Sequence, residues 1–189
     1  VNSSTQITAR YAKCIESSKR VRWETEQDVI RGRQFDLSKK FLPDGLSMAK
    51  SLGNGFPIGG VLISPGVKPW AGMLGTTFGG NHLACAAGIA VLDIIRAENL
   101  MHHAETLGNW WNEQIKLAGI KSPIRGRGLM IGFDTPADKP TLRQDLLNRH
   151  RIFTGEAKPN VIRLLPALNL KQEDAEILIK AMAEELANP

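Results

Sequence analysis

Lys50 is the residue in this chain best placed to do covalent chemistry. It follows a short alternation, Leu46 and Met48 against Gly45, Ser47 and Ala49, and it precedes Gly53-Asn54-Gly55. An amine attacks a carbonyl only when unprotonated, which calls for a shaped, partly desolvated position. The end of a strand beside a glycine-rich turn is such a position, whereas an isolated lysine is ordinarily a solvated surface charge. A second cluster, Gly75-Thr76-Thr77-Phe78-Gly79-Gly80-Asn81, sets two hydroxyls and several glycine amides ahead of a helix predicted from about His82. Such donors at a helix N-terminus suit a phosphate dianion. The same residues also make a turn in which glycines take positive φ and threonines cap the helix. Arg163, in Val161-Ile162-Arg163-Leu164-Leu165-Pro166, reads by itself as a surface strand arginine. Arg125 and Arg127 alternate with Gly126 and Gly128, a spacing better suited to close backbone packing than to a phosphate cradle. No GxxxxGK[ST] loop is present, so a nucleotide-hydrolase reading has no support.

Taken together, these blocks resemble one family. The run from Ser47 through Lys50 to Gly60 resembles the cofactor-lysine signature of class III, fold-type I pyridoxal-phosphate aminotransferases of the acetylornithine type. Gly75 to Ala87 resembles the second signature of that family at the expected separation. Arg125 to Gly132 and Val161 to Pro166 resemble two of its C-terminal blocks, so the resemblance covers roughly Phe41 to Pro189. It implies pyridoxal 5'-phosphate as cofactor, with Lys50 carrying it covalently and then moving the substrate proton as base and acid. Thr77, before Phe78, is implied as a hydroxyl donor to the cofactor phosphate of a neighbouring subunit. Thr76 is implied on the substrate side, and Arg163 near the substrate carboxylate or paired with a glutamate.

The resemblance further implies a homodimer acting on an amino acid and a 2-oxo acid. The reaction expected is transfer of the δ-amino group of N-acetylornithine, or succinylornithine, to 2-oxoglutarate in arginine biosynthesis. Ornithine or another ω-amino acid is the alternative donor. The family also keeps an Asp-Glu pair that holds the pyridine nitrogen protonated and so makes the ring an electron sink. At family spacing that pair falls within residues 10 to 35, where Glu24-Thr25-Glu26-Gln27-Asp28 has no apolar strand before it. The role passes to none of these residues. The expectation is therefore an impaired or inactive chain from a truncated or frame-shifted gene, or a non-catalytic fragment that binds a partner subunit.

The elements that position these residues are legible from about Phe41 onward. Strands are predicted up to Lys50 and over Ile58 to Ser64, on either side of the glycine turn. Leu83 to Ala97 is small and apolar nearly all round, which predicts a helix buried on several sides, or an exposed apolar surface if the domain is cut short. Leu100, Ala104, Leu107, Trp111 and Ile115 repeat at amphipathic helical spacing. A Gly-punctuated strand is read within Ile124 to Phe133, a helix over 139 to 150, and strands over Arg151 to Phe153 and Val161 to Leu165. The final helix, 171 to 187, groups Ala175, Leu178, Ile179, Met182 and Leu186 on one face, with Glu173 and Asp174 in its first turn. The fold class is α/β, expected as the C-terminal part of a fold-type I transferase. Residues 1–40 are an unmatched basic segment, 41–97 a remnant of the cofactor-binding large domain, and 98–189 a small C-terminal α/β domain.

Composition sets the remaining bounds. The net charge of +5 invites a nucleic-acid reading, but residues 1 to 40 hold nine Lys/Arg against five Asp/Glu, leaving the body nearly neutral. Tyr11, Trp23 and Phe35 are too scattered for a single-strand stacking platform, so neither nucleic acid nor, lacking a long apolar run, membrane is expected as a partner. A cytoplasmic address follows as the simplest expectation. Cys14 and Cys85 have no CxxC spacing, and His102, His103 and His150 have no metal-ligand spacing, so reduced thiols and no metal are expected.

Overall fold

The computed structural model describes residues 45–63, 66–68, 70–73, 75–157 and 160–187. They fall into two compact units divided between Asn99 and Leu100. The expectations for residues 1–40, including Cys14 and the Glu24 to Asp28 stretch, lie outside the described residues.

In the first unit, β1 (Gly45–Met48) and β2 (Gly60–Ile63) pair antiparallel, with Gly45 opposite Ile63 and Met48 opposite Gly60. The predicted strand, turn, strand pattern is present, but β1 stops at Met48 and Lys50–Gly53 wind into a 3-10 turn. Asn54 (φ 47°) and Gly55 (φ 96°) then reverse the chain in the left-handed region, which Asn and Gly enter at low cost.

Helix α1 (His82–Ala97) begins at Asn81, whose side-chain oxygen accepts from the Ala84 N–H at 2.9 Å while its amide donates to the Phe78 carbonyl at 3.0 Å. Ala84, Gly88 and Leu92 recur every four residues on its buried face, with Cys85 beside them. Leu83 and Ile94 stand 66% and 50% exposed. The all-round apolar pattern predicts wider burial, yet the described elements that pack on α1 cover only one side.

The second unit holds α2 (Leu100–Leu117), the hairpin β3 (Arg125–Arg127) and β4 (Met130–Asp134), α3 (Leu142–His150), β5 (Gly155–Ala157), β6 (Val161–Leu164) and α4 (Gln172–Ala187). The strands form one antiparallel sheet in the order β3-β4-β6-β5. Ile131 and Phe133 of β4 and Ile162 and Leu164 of β6 alternate onto its inner face. There they meet Trp111 and Ile115 of α2, Leu142 and Leu146 of α3, and Leu178 and Met182 of α4. Burying each such side chain is worth about 1.5–3 kcal/mol, so this core dominates the unit. All five residues of the α2 stripe read from sequence are buried.

Two expectations change. The single strand within Ile124 to Phe133 is a hairpin, because Gly126 (φ 125°) and Gly128 (φ 56°) take backbone conformations that reverse the chain. Arg151 to Phe153 form no ladder, since Arg151 closes α3 in the left-handed region (φ 60°) and the strand starts only at Gly155. The ends of α3 and α4 are tied together by Glu185, which is buried and accepts from Arg149 Nη1 at 3.0 Å and pairs with His150 Nε2 at 2.8 Å.

Candidate active site

Lys50 opens the 3-10 turn directly after β1, with extended Ala49 (φ −158°, ψ −169°) before it. Its backbone is described and its side chain is not. The turn itself is fastened by packing: Leu52, 3% exposed, lies against Leu92 of α1, with Met48 and Ile58 around them. Gly53 has no room for a side chain, because a Cβ there would approach Ile58 Cγ2 to 2.7 Å and Phe56 Cβ to 3.3 Å. A depression of about 440 Å³, lined by Ser51, Asn54, Phe56 and Pro57 among others, borders the same turn. The sequence therefore places an amine at the start of a turn whose apolar side is locked onto a helix.

Thr76 and Thr77 are both exposed and open the turn that leads into α1. The Gly79 N–H reaches the Thr76 carbonyl at 3.5 Å, and the Asn81 N–H reaches that of Phe78 at 3.3 Å. The capping role considered for the threonines belongs instead to Asn81. That leaves Thr76 and Thr77 as exposed residues ahead of a helix N-terminus. A Cβ at position 79 would overlap the Thr76 methyl group, so this exposed side chain would have to turn to admit one. Phe78 is 80% exposed.

Both elements hang on α1 at different stations. Leu52 grips the helix at Leu92, whereas Thr77 precedes its first residue, His82; ten residues of helix are about 15 Å.

Arg163 lies in the second unit, on the sheet face opposite the apolar core. The register aligns Arg125, Gly132, Arg163 and Gly155 in one row across the four strands. Arg125 is engaged within this unit, its guanidinium lying on both carboxylate oxygens of Asp134, one at 3.3 Å. It is a clamp across the hairpin. Arg127 is exposed. The position that sequence reading missed here is Gly155, a neighbour of Arg163. A lone glycine between strands, which marks close approach of another group, is the signal that could have found it.

The donor set fits pyridoxal phosphate: a primary amine on a held turn, and paired hydroxyls before a helix N-terminus. Among the described residues no group of three or more His, Cys, Asp or Glu is placed to hold a metal ion, and no helix is long and apolar enough to cross a membrane.

The family model "Aminotransferase class-III" matches residues 34–186. The chain belongs to the class III aminotransferases. This family uses pyridoxal phosphate, and the α/β fold is that of its solved members. The chain is 40% identical over 146 residues to the acetylornithine aminotransferase of Nitrosomonas europaea, covering 73% of this chain and 36% of that protein. It is 36% identical over 161 residues to an alanine–glyoxylate aminotransferase 2 homologue of Arabidopsis thaliana, covering 75% of this chain and 33% of that one. A crystal structure of the ornithine aminotransferase of Toxoplasma gondii superposes with a TM-score of 0.65 at 29% identity, over 76% of this chain and 36% of that one. The chain thus spans about a third of the length of the curated relatives it matches. The three relatives carry three different donor names.

Proposed function

We propose that this chain carries the lysine side of a transaminase site that moves the δ-amino group of N-acetylornithine, or succinylornithine, to 2-oxoglutarate. The observation that carries this reading is the placement of Lys50 on a turn locked to the helix whose N-terminus presents Thr76 and Thr77. Pyridoxal phosphate, when bound, supplies an electron sink for the carbon that loses a proton. Lys50 would hold the cofactor covalently and then shuttle that proton. Thr77 would donate its hydroxyl to a phosphate and Thr76 would face the substrate. Arg163 would fork onto a carboxylate of the amino or oxo acid. The separation of about 15 Å along α1 between the Leu52 contact and the Thr77 turn favours Thr77 serving a neighbouring subunit's cofactor. A homodimer in which residues 45–99 belong to the cofactor-binding domain and 100–187 to the small domain is consistent with this. The likeness to an ornithine aminotransferase keeps ornithine as the second donor.

Incubation with pyridoxal phosphate followed by borohydride should leave a covalent adduct on the Lys50 peptide, read by mass spectrometry, and Lys50→Ala should abolish it. An adduct on other lysines that survives Lys50→Ala would sink the assignment. N-acetylornithine, succinylornithine, ornithine and alanine, offered as donors with 2-oxoglutarate, then discriminate the substrates by glutamate formed.

A further inference from the structure

We infer that Gly155 is a positioning residue for Arg163: its missing side chain is the space in which the guanidinium lies. This rests on the reading of Arg163 as a carboxylate-binding residue. Gly155 and Arg163 are directly paired across β5 and β6, so their side chains leave the same face of the sheet. A Cβ built on Gly155 would stand 3.0 Å from Arg163 Nε and 3.1 Å from Nη2, tighter than most such contacts, so the guanidinium would have to give by a few tenths of an ångström. The Nε atom itself is buried. On the other side the partner of Arg163 in β4 is Gly132, also without a side chain and also buried. The arginine is flanked by glycine on both neighbouring strands.

The consequence is directional. A side chain at position 155 would crowd the guanidinium from one flank, whereas glycine lets Nε and Nη2 lie close over β5 and so bears on how the guanidinium plane is turned. Bidentate recognition depends on that plane, because both N–H groups must meet both oxygens together. φ at Gly155 does not demand glycine, since it is not among the positive-φ residues. The demand comes from the arginine. The nearest backbone atom, Arg163 O, would stand 3.3 Å from the added carbon, a contact that a shift of a few tenths of an ångström relieves. Alanine is therefore expected to move the side chain more than the fold.

The test uses the full chain and three variants, Gly155→Ala, Arg163→Ala and the two combined, with 2-oxoglutarate as the carboxylate probe in calorimetry. The Arg163 Nε–H signal, assigned by its loss in Arg163→Ala, is followed in ¹⁵N spectra. Gly155→Ala should shift that signal and weaken 2-oxoglutarate binding about tenfold. Any stability lost in Gly155→Ala should be recovered in the double variant, where the clashing group is gone. This cycle still decides the matter if Gly155→Ala folds poorly, because a double variant equally unstable would place the clash on the backbone and overturn the inference. An unmoved Nε–H signal with unchanged binding overturns it too. If Arg163→Ala binds 2-oxoglutarate like the unaltered chain, or the unaltered chain binds none, the carboxylate reading of Arg163 fails, while the signal and the cycle still report whether Gly155 sets its position.

Discussion

Thr76 and Gly79 share one small space, and that sharing fixes which way a hydroxyl points. The Thr76 methyl fills the volume that a side chain at position 79 would take, so its hydroxyl is turned elsewhere, and rotating the residue to admit a Cβ would exchange the two groups. Gly79→Ala is expected to destabilise the first unit by about 0.5–1.5 kcal/mol, the cost of driving the exposed Thr76 side chain from its rotamer. Adding Thr76→Ser, which deletes the methyl and keeps the hydroxyl, should restore most of it. Urea titration of the three variants checks this, and a Gly79→Ala midpoint equal to that of the unaltered chain would contradict it. At this scale the sequence offers the candidates. Lys50, Thr76 and Thr77 stand out by residue type beside glycines, because the proposed amine and hydroxyl chemistry needs those groups and a turn to hold them. What could not be read was pairing: Arg125 finds Asp134 only once the β3–β4 register sets both on one face.

Helix α2 and the β3–β4 turn meet backbone to backbone. A Cβ on Gly108 would fall onto the Gly128 carbonyl, so the helix carries a glycine in its middle despite the roughly 1 kcal/mol that alanine would contribute there. Gly108→Ala should therefore destabilise the protein, by about 1–3 kcal/mol, and a rise in melting temperature would refute the contact. The α2 stripe was fully predictable because period 3.6 is a local property. The hairpin was not, since a GxGxx run reads equally well as a strand until positive φ at Gly126 and Gly128 turns it. Arg151 misled for a similar reason: a non-glycine residue in the left-handed region leaves no compositional trace.

On the scale of the molecule the two units differ sharply in core. Among the described residues, the cluster behind the sheet joins three helices and two strands, while the cluster behind the lysine turn has Leu52 and Leu92 buried, supported by Met48 and Ile58. Sequence did not foresee this inequality, because helix α1 looks as apolar as any core helix. Local stability follows buried apolar contact. Amide hydrogen exchange should accordingly be about tenfold or more faster in α1 than in α2 and α4, and equal protection would mean that the first unit draws support from elsewhere. The small Leu52–Leu92 contact has one more consequence. A ligand that binds only the ordered form adds stability through its occupancy, about 2.7 kcal/mol at a hundred times its dissociation constant, and against so slight a core that increment is large. The half of the chain that bears Lys50 would then act as its own reporter, its exchange slowing in step with saturation while the other half stays silent.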